Sequence, residues 1–153
     1  MTVSLEINWI RKYDKSLPLP ELVFCNTWDI GGGYYRPTDA KVLHFNQRTI
    51  DNKHGTILIN PDFPDNFESV IAHEWRHHWQ YHKGLRNPLD YTLWNPSGDW
   101  KSDVFHYFTE DRFEFDALMF ERKFAPSDLN EQFWDAIDRN CDIKKLQIQS
   151  FRI

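Results

Sequence analysis

The stretch Ser69-Val70-Ile71-Ala72-His73-Glu74-Trp75-Arg76-His77-His78-Trp79-Gln80-Tyr81-His82-Lys83 decides how this chain is read. Its apolar residues recur at helical spacing. Phe67, Ile71, Trp75 and Trp79 fall on one stripe, which predicts the face turned to the core. Val70, His73, His77 and Gln80 fall on the stripe beside it. His73 and His77 are one helical turn apart on the same face, so their imidazoles can reach one divalent metal ion. Glu74 follows His73 directly and can reach a water at such a metal.

Working outward, Pro61-Asp62-Phe63-Pro64-Asp65 marks the start of this helix, with Asp62 or Asp65 as N-cap. The helix should run from about Asn66 to Lys83, with Gly84 as the residue that ends it. Upstream, Thr56-Ile57-Leu58-Ile59-Asn60 is a β-branched run and the strongest strand signal in the chain. Lys41 to Ile50 is also strand-like, and the turn Asp51-Asn52-Lys53-His54-Gly55 separates the two. Glu21 to Cys25 reads as a first strand, and Gly31-Gly32-Gly33 and Pro37-Thr38-Asp39 supply breaks and turns. Two hairpins in succession predict a small, mostly antiparallel sheet. Val3 to Tyr13 is weakly helical and ends at the prolines Pro18 and Pro20.

Downstream, Leu85 to Lys101 has no clean period and reads as a long loop. Ser102 to Phe124 is helical, or helical only from Thr109, and stops at Ala125-Pro126. Ser127 or Asp128 caps a last helix to about Asn140, with Asp128 and Glu131 spaced as a capping box. Leu146 to Ile153 alternates and can add a strand. The expectation is an α+β fold: a small sheet packed on the motif helix, a second acid-bearing helix and a C-terminal helix, all in one domain over 1–153.

The 153 residues carry a net charge of -5, which argues against nucleic acid as the main partner. Aromatic residues make up 16%, enough large side chains to fill a core despite a hydrophobic content of 41%. Cys25 and Cys141 lack metal-ligand spacing and read as two free thiols. No basic segment followed by an apolar run opens the chain, and no stretch approaches membrane-spanning length. The expected location is the cytoplasm, without a membrane partner.

Two histidines leave a tetrahedral metal short of a third protein ligand. The segment Tyr107-Phe108-Thr109-Glu110-Asp111-Arg112-Phe113-Glu114-Phe115-Asp116-Ala117-Leu118 offers carboxylates on a following helix. With it, Gly31 to Phe124 resembles the gluzincin-type metallopeptidases, in particular the compact zincins of bacteria and their phages. In these, H-E-x-x-H on one helix is completed by a glutamate on a later one, often within E-x-[DE]-A. Glu114-Phe115-Asp116-Ala117 fits that pattern, and Ala117 would let the two helices pack closely.

The resemblance implies a zincin-like fold, a Zn2+ ion on His73, His77 and Glu114, and hydrolysis of a peptide or protein substrate. Glu110, Glu121, His82 and His106 are the other ligand candidates. Glu74 would take a proton from the zinc-held water and pass it to the leaving amine. Tyr107 or His106 would stabilise the oxyanion, with Arg112 and Tyr91 as further candidates. Asp111 or Asp116 would orient a ligand histidine. Thr56 to Asn60 would be an edge strand that pairs with extended substrate. The alternative is a zincin-like binding module in which zinc holds the fold and nothing is cleaved. A deformylase-type amidase is a third option, but Cys25 lacks the glycine-rich setting of its cysteine ligand.

Overall fold

The computed structural model describes residues 14–26, 32–45, 48–86 and 99–140. The elements in chain order are β1 (Glu21–Phe24), β2 (Gly33–Arg36), β3 (Val42–Phe45), β4 (Arg48–Asp51), β5 (Thr56–Ile59), α1 (Phe67–His82), α2 (Trp100–Glu110), α3 (Arg112–Phe124) and α4 (Asp128–Asp138). The architecture is α+β. The expected N-terminal helix, the C-terminal strand, Tyr91, Cys141 and most of the long loop lie outside the described residues.

Strand order departs from the expected run of hairpins. The segment read as one strand folds on itself as β3 and β4, an antiparallel pair with Leu43 opposite Ile50. β5 then pairs with neither. It lies between β1, which runs parallel to it, and β2, which runs antiparallel. All four β5 residues are buried, so both sheet faces and both edges of this strand are covered. That burial matches its unbroken apolar sequence, and it overturns the edge position assigned to Thr56–Asn60. Among the described residues, β1 and β2 hold the outer positions of this sheet.

Asn52 organises the turn between the two sheets. Its Nδ2 donates to the carbonyls of Pro37 and Ala40 at 2.7 and 2.6 Å, and its Oδ1 accepts from Thr56 Oγ1 at 2.6 Å. Gly55 sits at φ 107° with Tyr35 Oη directly where a Cβ would project. Any larger residue would clash there as well as strain the backbone.

α1 covers the three-stranded sheet. Ile57, Ile59, Tyr35 and Leu22 from the strands meet Ile71, Ala72 and Trp75 from the helix, with Phe120 of α3 closing the cluster. Burying a side chain of this size contributes roughly 1.5–3 kcal/mol. Gly33 brings β2 close to α1: a Cβ there would lie 2.7 Å from Val70 Cγ1 and 3.2 Å from Glu74 Cγ. Trp75 of the expected core stripe is 1% exposed, whereas Phe67, in the first turn, meets the end of the sheet at Phe24 and is 41% exposed.

Helix ends correct the expected caps. Asn66, not Asp62 or Asp65, caps α1, its Oδ1 accepting from Ser69 N–H at 2.8 Å. Gly84 follows the C-cap at φ 71°, as expected. The helical region from Ser102 to Phe124 is two helices, because Asp111 leaves helical geometry to cap α3 through Phe113 and Glu114 N–H. Ser127 caps α4, but its box partner is Asn130 and not Glu131. α3 presents Phe115 and Leu118 to a second core with Phe108 of α2 and Ile137 of α4. Among the described residues, no helix is long and apolar enough to cross a membrane.

Candidate metal centre

α1 and α3 meet along the stripe that carries His73 and His77. Ala117, fully buried, keeps α3 close, and Asp111 starts that helix so that Glu114 falls in its first turn. One ligand atom each from His73, His77 and Glu114 lies within 4.8 Å of the others. His73 Nε2 is 2.9 Å from Glu114 Oε2, and His77 Nε2 is 3.0 Å from Glu114 Oε1. Ligand atoms around a tetrahedral zinc stand roughly 3.3–3.5 Å apart. The two histidine–carboxylate separations are slightly shorter, at hydrogen-bond length.

The far side of each imidazole is also held. His73 Nδ1 is 2.9 Å from Glu121 Oε1, and Asn130 Nδ2 donates to the other Glu121 oxygen at 2.8 Å. Asn130 Oδ1 accepts from Ser127 N–H in the α4 capping box, which leaves its amino group for Glu121. His77 Nδ1 is 2.8 Å from Gln80 Oε1. Both Nδ1 atoms therefore face acceptors. With a proton there, each neutral ring presents a lone pair at Nε2, and both lone pairs meet the Glu114 carboxylate. Three acceptors converging in this way require positive charge between them. A divalent cation satisfies that need, so the residues present fit a metal of the zinc type.

The electrostatics tell the same story. Burial disfavours a charged His73, but hydrogen bonds and charge from Glu114 and Glu121 outweigh it and hold its pKa well above the usual range. Burial pushes Glu114 up, yet His77 and His73 pull it well below the usual carboxylate range. A proton on His73 is thus the metal-free way to supply the missing positive charge. Metal binding would displace that proton.

Glu74 is 7% exposed, and its pKa is raised by burial against the pull of His73 and His77. No hydrogen bond to its carboxyl group comes from the described residues, which leaves those oxygens available to a water or substrate. Tyr107 bonds Glu114 through its hydroxyl. Burial, then the charges of Glu114 and Glu74, push its pKa well up, so the phenol stays a donor. Arg86 lies behind Glu114: its Nη1 is 3.6 Å from Glu114 Oε1 and its Nη2 is 3.7 Å from Asp111 Oδ2.

Not every candidate residue joins the cluster. His106 is largely exposed and pairs with Glu110 at 2.9 Å one helical turn on, so neither residue belongs to the group that could hold an ion. His82 is exposed on the other side of α1, with Nε2 donating to the His54 carbonyl. His78, next to His77 in the chain, is fully buried in the core. Asp111 serves as a helix cap, and Asp116 binds Arg76 and Gln80; Glu121 and Gln80 are the groups that touch the histidines. The signal for these two was present. Gln80 shares the stripe of His77 one turn on, and Glu121 lies two turns beyond Glu114 on one face. No protein-family model, curated protein or solved structure matches the chain.

Proposed function

We propose that the chain is a zincin-like zinc peptidase, with His73, His77 and Glu114 holding the ion. One observation carries this reading: two imidazole Nε2 atoms and a carboxylate converge as acceptors beside Glu74, a buried carboxyl group with no hydrogen-bond partner among the described residues. When bound, zinc supplies Lewis acidity toward a carbonyl and makes water more acidic. Glu74 accepts the proton of the attacking water and returns it to the leaving amine. Burial, which raises its pKa, makes its carboxylate a stronger base than a solvated one. The Tyr107 hydroxyl, bonded to Glu114 in the resting site, turns from it to donate to the oxygen on which negative charge develops.

β2 replaces β5 as the strand for extended substrate. Among the described residues it lies at an outer position of the sheet, and it is pressed onto α1 beside Glu74 through Gly33. The depth of the cluster favours a second reading. His77 and Glu114 side chains are only 6% and 8% exposed, as for an ion that clamps α1 to α3 without turnover.

Metal analysis and digestion of a peptide library by wild type and Glu74→Gln separate the two. The peptidase reading expects bound zinc in both proteins and a loss of about 10²–10⁴-fold in cleavage for the variant. Cleavage by Glu74→Gln at the wild-type rate would remove Glu74 from the chemistry. Bound zinc with no cleavage by wild type would leave the clamp.

A further inference from the structure

Gln80 is held more firmly than a surface-facing glutamine on a helix would be. It is fully buried. Its Nε2 donates to the Phe113 carbonyl at 3.0 Å and to Asp116 Oδ2 at 2.9 Å. Asp116 is in turn held by Arg76, whose Nε and Nη2 lie 2.7 and 3.2 Å from its two oxygens. The Arg76 guanidinium lies 3.7 Å over the Trp79 ring, which limits its movement. An amide flip at Gln80 would set its oxygen against a carboxylate and a carbonyl, so the side chain has one orientation.

That orientation aims Oε1 at His77 Nδ1. Arg86 Nη1 also lies 3.2 Å from this nitrogen and would favour the opposite tautomer. The Gln80 oxygen is closer, at 2.8 Å, and it cannot turn away. Arg86 also faces the Glu114 and Asp111 carboxylates, at ion-pair distances of 3.6 and 3.7 Å.

We propose that Gln80 is a positioning residue: locked by Asp116 and Arg76, it keeps the proton of His77 on Nδ1 and so keeps Nε2 open to a metal. The inference rests on the metal-centre reading above. It extends that reading by making Arg76, within the motif itself, the far end of a relay Arg76–Asp116–Gln80–His77. His73 is backed by a carboxylate, whereas His77 is backed by a neutral amide whose own orientation is set by a carboxylate.

The test is the histidine tautomer, read by long-range nitrogen–proton NMR on metal-free wild type in alkaline buffer, together with zinc affinity by chelator competition. A proton on His77 Nδ1 is expected. A proton on Nε2 alone overturns the proposal, whether or not any variant folds. Gln80→Met, of similar length but without the acceptor, should lose the Nδ1 preference and weaken zinc binding by about 10–100-fold. Unchanged affinity in a folded Gln80→Met protein also overturns it. Wild type that carries the Nδ1 proton yet binds no zinc supports the tautomer assignment, and the failure then falls on the metal centre.

Discussion

His77 and His78 are adjacent on one helix, both buried, and their surroundings make them opposites. His78 faces the sheet side of α1. Its Nε2–H donates to the Pro18 carbonyl at 2.8 Å, and its Nδ1 accepts from Tyr35 Oη at 2.8 Å. One donor meets one acceptor at each nitrogen, so the neutral ring is satisfied and burial drives its pKa down to about 3. His77 faces α3. There an acceptor stands at each nitrogen, Gln80 on one side and Glu114 on the other, and the Arg86 guanidinium adds a donor 3.2 Å from Nδ1. A neutral ring leaves one of those contacts unmet. The difference teaches that burial alone does not set what a histidine can do; the donors and acceptors placed around its ring do.

The sharpest way to break this comparison is to remove each ring in turn. His77→Ala should lose stoichiometric zinc binding, as should Glu114→Ala, measured by metal analysis after dialysis. His78→Ala should keep zinc but cost about 2–5 kcal/mol of stability in denaturant titration, through a cavity and an unpaired Tyr35 hydroxyl. Zinc retained by His77→Ala would place the ion elsewhere.

Zinc at a thousandfold above its Kd adds about 4 kcal/mol to stability. A chelator should therefore lower Tm on the order of 10 °C in wild type. His77→Ala should show no such response, and His78→Ala should retain it.

The two faces of α1 also respond to pH with opposite sign. His78 has a depressed folded pKa, so the unfolded chain takes up its proton first. Its contribution is present above about pH 6.5 and is lost as pH falls toward about 3, at roughly 1.4 kcal/mol per unit. His73 has a raised folded pKa in the metal-free protein, so its contribution is lost as pH rises through that value. Stability of the metal-free protein should therefore fall off on both sides. Loss of the acid limb in His78→Ala relative to wild type would confirm its source; an unchanged limb would assign it to carboxylates.

The smallest effect expected is that of Tyr35→Phe. It removes the donor to His78 Nδ1 and should cost about 1–3 kcal/mol with zinc affinity unchanged. A change in zinc affinity would show that the two faces are coupled through the helix.

Local spacing accounts for what was legible in the chain. The pairing of His73 with His77, the place of Glu74, the extent of α1 and the strand at Thr56–Ile59 follow from periodicities of a few residues, and these hold before any tertiary contact forms. Glu114 was readable from its motif and from Ala117, which marks where α3 can approach. Even there, the break at Asp111 was missed, since a capping aspartate and a mid-helix aspartate look alike without the backbone around them.

What only the tertiary structure decided are the choices between distant, similar partners. β5 goes between β1 and β2 because that position buries all four of its residues, an outcome that no turn signal specifies. Of the acids on α2 and α3, Glu114 and Glu121 face His73 and Glu110 does not, because the two helices diverge at Asp111. Gln80 acquires a meaning only when Asp116 and the Phe113 carbonyl fix its amide. His77 and His78 have the same sequence context to within one residue; helical rotation sends one to α3 and the other to the sheet, and the groups waiting there determine what each ring can do.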